Sequence, residues 1–205
     1  MTRPPPLVHT VIKVGGGLLR DPAGFECVVA AIGALGPGGG HRILVMPGGG
    51  PFADTVREFQ RRIPIGDDTA HWMSVLGMEQ YAHTLAERIT GAQLVAARSQ
   101  IVAARKRHRI PVLAPYRWLR AEDALPHSWD VTSDSIAAWI AARVGARRLV
   151  LIKPVAGEPG SLVDPYFVRA LQPGIEHLVL PVDSVRELGL VLDGSRSRRR
   201  PQHRV

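Results

Sequence analysis

A chain of 205 residues with 45% hydrophobic and 5% aromatic content carries enough apolar material for one alanine-rich domain with a sizeable core, which excludes a fibre or a wholly disordered chain. No stretch reaches the roughly 18 uninterrupted apolar residues of a membrane span, and the N-terminal MTRPPPLVHT lacks the apolar core of a secretory signal, so a cytoplasmic protein with no membrane partner is expected. The formal charge of +8 suggests nucleic acid until its position is considered: Arg196, Arg198, Arg199, Arg200 and Arg204 all lie in SRSRRRPQHRV. That segment has no apolar periodicity. Residues 1–194 therefore read as one folded domain and 195–205 as a basic, disordered tail, with a solvated tail preferred over a nucleic-acid arm.

The first element is VIKVGGGLL, residues 11–19. Val11, Ile12 and Val14 suit a buried strand, and Gly15, Gly16 and Gly17 permit a loop whose N–H groups converge on an anion, with Lys13 close by. Phe25 to Leu35 reads as a helix, and Cys27 within it as a buried thiol with no disulfide partner. Gly36 to Gly40 has no strand before it and reads as a flexible loop. The first pattern then recurs: Ile43 to Met46 forms a strand that ends in Pro47 and Gly48, Gly49 and Gly50, and Phe52 to Arg61 continues as a helix. Two glycine triplets at two strand ends point to a two-loop phosphate site at the carboxyl edge of a parallel sheet.

Asp67 and Asp68 are expected to cap a long helix to about Thr90. His71 and His83 on it lack metal-pair spacing. Leu94 to Ala97 is a weak strand, Ile101 to Lys106 a basic helix, Ile110 to Ala114 a clearer strand, and Tyr116 to His127 a polar, irregular connection. In SWDVTSDSIAAWIAARVGA, Thr132, Ser133 and Asp134 cap a helix that runs to Val144 and ends at Gly145. Asp134 can accept hydrogen bonds from Lys13 and hold its ammonium on a phosphate path. The strand Arg148 to Ile152 ends in Lys153, with Gly157 four residues later, and a lysine so placed calls for an anion. Leu178 to Leu180 and Leu190 to Leu192 read as short strands, with Asp183 starting a small helix between them. Trp72, Met73, Trp118 and Trp129 are candidate pocket residues, although core packing explains such side chains as often.

The motifs IKVGGG, VMPGGGP, TSDS and LIKPVAG, in this order, resemble the amino acid kinase superfamily of aspartate, glutamate, acetylglutamate and uridylate kinases. With VDPYF they are most similar to the archaeal-type aminomethylfuran phosphate kinases of methanofuran biosynthesis. The resemblance spans roughly residues 11–167. It implies a three-layer α/β/α sandwich around a mainly parallel sheet, as the strand–helix alternation does. It further implies ATP with Mg²⁺, a small phosphorylated or acidic phosphate acceptor, and a homo-oligomer. Lys13 and Lys153 would stabilise the transferring phosphoryl group, and Asp134 would order the lysines and glycine loops. Gly15, Gly16 and Gly17 would serve mainly the nucleotide phosphates, and Gly48, Gly49 and Gly50 the acceptor or γ-phosphate. Thr132, Ser133 and Gly157 complete the expected binding residues; no residue is assigned to metal. Gly17 stands where many members carry serine, and Ala156 where many carry an acid.

Two other readings compete. One is a non-catalytic nucleotide-binding or storage protein of the same fold. The other treats Gly48 to Ala53 as a dinucleotide fingerprint with Asp67 and Asp68 downstream, but it leaves Lys13 and Lys153 without a role.

Overall fold

The computed structural model describes residues 7–36, 40–155 and 162–194. Its centre is a parallel six-stranded sheet in the order β3-β4-β2-β1-β5-β6. The strands are β1 (Thr10–Val14), β2 (Ile43–Pro47), β3 (Ala92–Val95), β4 (Ile110–Leu113), β5 (Arg148–Lys153) and β6 (Glu176–Pro181). Strands β1, β2 and β4 are buried along their whole length, and their sequences are accordingly mostly apolar, with Thr10 and Lys13 of β1 the polar exceptions, as covering both faces of a sheet requires.

The helices are α1 (Pro22–Ala34), α2 (Gly50–Arg62), α3 (Asp67–Arg88), α4 (Arg98–Lys106), α5 (Tyr116–Glu122), α6 (Ser133–Val144), α7 (Phe167–Ala170) and α8 (Leu188–Leu192). On one face of the sheet, Ile12, Val45 and Val150 pack against Val28 and Ile32 of α1 and Leu188 of α8. On the other, Val11, Leu44 and Leu149 meet Ala137 and Ile140 of α6 and Phe167 of α7. The alternation of side chains along each strand thus feeds two separate cores, and the result is the expected three-layer sandwich. No helix among the described residues is long and apolar enough to cross a membrane.

Local chemistry sets the helix ends. Asp21 accepts a hydrogen bond from the Gly24 N–H at 3.0 Å, and Pro22 opens α1, where its missing N–H costs nothing. Helix α3 is capped by Gly66, not by Asp67 or Asp68; those carboxylates sit in its first turn and reach Gln60 and His127.

Several sequence expectations are corrected. Tyr116 to His127 is not wholly irregular, because Tyr116–Glu122 forms α5, which buries Leu119 and ends at Asp123 with φ 40°. Leu190 to Leu192 belongs to helix α8, where Leu188 and Val191 are buried one turn apart; a three-residue apolar run cannot distinguish the two states. The strand placed at Leu94 to Ala97 lies at Ala92–Val95. Cys27 is exposed, since the buried stripe of α1 runs through Phe25, Val28, Val29 and Ile32 and leaves position 27 on the outer side. The tail 195–205, most of the Gly36 to Gly40 loop, Ala156 and Gly157 lie outside the described residues.

Candidate active site

The central strands β2, β1 and β5 are neighbours, so the loops leaving their carboxyl ends meet. Gly15 donates its N–H to Ile152 O at 2.9 Å, and Gly48 donates its N–H to Val14 O at 2.8 Å, extending the sheet ladder one step past the strands. These two N–H groups are thus already engaged, and a ligand's oxygens would have to be met by the other loop positions. The two loops then touch backbone to backbone. A Cβ on Gly16 would lie 2.0 Å from Gly50 N and 2.3 Å from Gly50 Cα. Gly50 itself has φ 56°, a left-handed conformation that favours glycine. Gly49 and Gly50 start α2, whose first N–H groups have no partner within the helix. Gly17 is exposed, with the Pro154 ring beside it.

Above the loops sits a three-residue charge cluster. Lys13 pairs in register with Leu151, two residues before Lys153, so both lysines fall on the same face of the sheet. That face is covered by α6, whose second residue is Asp134. Lys13 Nζ lies 2.9 Å from Asp134 Oδ1, and Lys153 Nζ donates to Asp134 Oδ2 at 2.6 Å. Lys13 and Asp134 are each 3% exposed. Burial alone would push the Asp134 carboxyl up, but the charges and hydrogen bonds of the two ammoniums hold it below the ordinary carboxylate range. The Lys153 ammonium is pushed down, first by burial and then by the neighbouring Lys13, with Asp134 opposing. Two cations on one nearly dry carboxylate leave a surplus positive charge, and such a charge is costly unless an anion arrives.

The start of α6 is held by a residue that sequence reasoning did not single out. Asp164 Oδ2 accepts from Thr132 N–H at 2.9 Å, Thr132 Oγ1 at 2.7 Å and Ser135 N–H at 3.0 Å, and the Ser135 hydroxyl donates to its other oxygen. Thr132 is the N-cap residue, yet no side chain of its own segment closes the helix. The cap comes from 29 to 32 residues away. The available signal was the acid in VDPYF, whose partner chain position could not be read without the fold.

A cavity of about 240 Å³ opens beside the second loop. Gly49, Gly50, Thr132 and Ser133 line it together with Arg57, Asp67, His71 and Trp129; Lys13, Lys153, Asp134 and the first glycine loop do not. Of the four proposed pocket residues only Trp129 lines it, while Trp72 is in the core beneath. The Arg57 guanidinium lies over the Trp129 ring at 4.3 Å, and Trp129 Nε1 donates to Gln60 Oε1 at 2.7 Å. His71 stacks on His127 at 4.1 Å, and each His127 ring nitrogen meets a carboxylate oxygen, from Asp68 or Asp123. Burial, followed by the His127 charge, pushes the His71 imidazole down to about 4.

Residues 9–157 match the model of the amino acid kinase family. The chain belongs to the amino acid kinase family. It is 25% identical over 147 residues to [5-(aminomethyl)furan-3-yl]methyl phosphate kinase of Methanocaldococcus jannaschii, a match that takes in 72% of this chain and 66% of that relative, just under two thirds of its length. Among solved structures it is similar to uridylate kinase from Archaeoglobus fulgidus, with a TM-score of 0.66 at 13% identity over 91% of this chain and 96% of that one. Aspartate kinase from Synechocystis gives a TM-score of 0.62 at 15% identity, over 86% of this chain and 39% of that one. At these identities the structural likeness speaks for the amino acid kinase fold. The dinucleotide reading loses its footing in that fold. Its glycines open the second strand–helix unit and pack against the first loop, and Asp67 and Asp68 stand in a helix's first turn, not at a strand end.

Proposed function

We propose that the protein is an ATP-dependent kinase that transfers the γ-phosphoryl group to a small phosphorylated acceptor, an aminomethylfuran phosphate of methanofuran-type cofactor biosynthesis. The observation that carries this reading is the buried Lys13–Asp134–Lys153 cluster. Its surplus charge, at the meeting point of two glycine loops and beside a cavity, suits a migrating phosphoryl group better than a bound but unreactive nucleotide. Phosphoryl transfer asks a protein chiefly for positioning and charge stabilisation.

In this reading the nucleotide phosphates lie along the first loop, and the acceptor enters the cavity beside the second. An acceptor phosphate oxygen forms a bond to the γ-phosphorus while the bond from that phosphorus to the β–γ bridging oxygen breaks, leaving ADP and a diphosphate. A phosphate acceptor is already ionised near neutral pH, so no general base is required of the cavity walls. Lys13 and Lys153 face the charge that spreads over the transferring group, and Asp134 keeps both ammoniums at one height. In the cavity, Arg57 offers the acceptor phosphate a cation, Asp67 offers an aminomethyl group a carboxylate, and Trp129 supplies an aromatic wall for a furan ring. Thr132 and Ser133 close the cavity floor at the start of α6.

Among the described residues no cluster of three or more His, Cys, Asp or Glu is placed to hold a metal ion, and Asp134 is engaged by lysines. Mg²⁺ would enter with the nucleotide phosphates, where it screens their charge, as this small hard cation commonly does. An ATP-consuming step on a small metabolite belongs in the cytoplasm. A homo-oligomer is part of the same reading, supported by the family resemblance, and light scattering on the purified chain tests it.

The deciding experiment is transfer from labelled ATP with Mg²⁺, with aminomethylfuran phosphate offered beside aspartate, glutamate, acetylglutamate and UMP. Diphosphate formed from the furan alone supports the proposal. Labelling of UMP or an amino acid instead moves the acceptor class and keeps the kinase. ATP binding without transfer to any acceptor favours the binding-protein reading.

A further inference from the structure

One wall of the cavity is irregular chain. Residues 123–131 lead from α5 to the N-cap of α6 at Thr132, and they supply Ser128, Trp129 and Val131 to the lining, while α2 and α3 supply others such as Arg57 and His71. Backbone pairing does not fix this segment to α2 or α3. Among the described residues its backbone-to-backbone bonds run to chain neighbours, such as Val131 N–H to Ser128 O at 3.1 Å, and to Tyr166, whose N–H donates to Asp130 O at 3.2 Å. Asp123 ends α5 at φ 40°, a left-handed conformation that aspartate tolerates.

Two side chains bridge to the helices instead. His127 Nδ1 meets Asp68 Oδ1, in the first turn of α3, at 2.6 Å, and His127 Nε2 meets Asp123 Oδ1 at 2.8 Å. Ionised carboxylates only accept, so both are served by an imidazole that carries a proton on each nitrogen. The ring also stacks on His71 and meets the Trp72 ring near a right angle, with centroids 5.0 Å apart. Two positions on, Trp129 Nε1 donates to Gln60 Oε1 of α2 at 2.7 Å. The same Gln60 amide donates to Asp67 Oδ1 at 3.0 Å. Trp129 and Asp67, the aromatic wall and the carboxylate offered to the acceptor, therefore share one amide, and the adjacent Asp68 fastens the segment that carries Trp129. Within the cavity, Ser74 Oγ is buried and has no hydrogen-bond partner among the described residues. A hydroxyl so placed is costly until a polar group of a ligand meets it.

We propose, resting on the assignment of the acceptor to this cavity, that residues 123–131 form a strap over the bound acceptor and that His127 is the positioning residue that holds it closed. The acceptor is gripped between Trp129 on the strap and the side chains of α2 and α3. Lys13, Lys153 and Asp134 do not line the cavity, so loosening the strap weakens acceptor binding more than it slows transfer.

The test pairs hydrogen–deuterium exchange with steady-state kinetics on the full chain, with aminomethylfuran phosphate as the probe. His127→Gln removes the two-sided bridge, and Asp68→Asn, at an exposed position, is the milder variant. In the unaltered chain the probe should slow exchange in 123–131. Without the probe, both variants should exchange faster there while the sheet strands stay protected, which separates a loosened strap from misfolding. The KM for the acceptor should rise about fivefold or more in His127→Gln, as expected for lost charge-assisted hydrogen bonds. The kcat and the KM for ATP should stay within about twofold. Protection of 123–131 without phosphoryl transfer would remove the kinase assignment and keep the strap. Transfer without protection would remove the strap and keep the kinase, and the absence of both would overturn both. The strap is also overturned if His127→Gln leaves exchange in 123–131 unchanged, or if the acceptor KM stays level while kcat falls.

Discussion

Gly16 and Gly50 belong to different loops, yet their backbones are in direct contact, and there is no room between them for one methyl group. The two halves of the site are therefore positioned against each other by peptide groups alone. Gly16→Ala must either push α2 away or distort the first loop. Cβ contacts of this closeness with backbone atoms do not relax cheaply, and a loss on the order of 2 kcal/mol is expected. For a chain of this size that lowers Tm by roughly 4 to 8 °C. Thermal unfolding of the variant measures it, and an unchanged Tm together with full activity would show that the loops are not mutually fixed.

Removing the shared carboxylate has a different signature. Asp134→Asn leaves Lys13 and Lys153 facing each other in a nearly dry site, and breaking such a buried pair costs about 3 to 5 kcal/mol. The variant should melt well below the unaltered chain and lose most phosphoryl transfer. It should also regain more stability from added ATP, since the nucleotide then supplies the only counter-charge. Melting curves with and without ATP test this, and an equal ATP shift in both proteins would contradict it.

The same group sets an acid limit. Because the folded-state pKa of Asp134 is depressed, its stabilising contribution is complete above the ordinary aspartate value of about 3.9 and is lost as pH falls through the folded value. The stability difference between the unaltered chain and Asp134→Asn should hold from neutral pH down to about pH 5 and shrink below about pH 4. Urea titrations across that range decide it.

Lys153 sets an alkaline limit. Its pKa is depressed from the ordinary lysine value, so the unfolded chain holds its proton to higher pH than the folded chain, and stability gains rather than loses as pH rises through that window. Activity moves the other way, because the neutral amine no longer faces the phosphoryl charge. The alkaline limb of kcat/KM should fall below about pH 10.4. Lys153→Arg, which stays charged, should remove the limb while lowering kcat.

Asp164 offers a further check. Asp164→Asn takes away the ionised acceptor that serves Thr132 and Ser135, at a cost of about 2 kcal/mol for a charged cap with several donors. As Asp134 sits in the same first turn, kcat should fall with stability while the KM for ATP changes less. A stability loss with kcat intact would uncouple the cap from the lysines.

Much of this was legible in the sequence because the informative residues are local. Strand runs ending in glycine triplets, and lysines at strand positions 13 and 153, announce a parallel sheet with its business at the carboxyl edge. Asp134 was readable as a partner for Lys13 because TSDS begins a helix. What could not be read are pairings between distant segments. Asp164 caps a helix 29 to 32 residues before it, and no local pattern marks such a partner. The short helices α5 and α8 were missed because five to seven residues contain too few turns for their period to show.

The register of β1 against β5 has one more consequence, for how this chain can vary. Lys13 and Lys153 reach one carboxylate because Lys13 is level with Leu151 and Lys153 stands two positions further on, on the same face. A single residue inserted into either strand ahead of its lysine would send that ammonium to the opposite core, among Ile12, Val14 and Ile152, with no acid to meet it. Length changes in these strands are therefore admissible only in pairs, and homologues that preserve the cluster should differ there by even numbers or not at all.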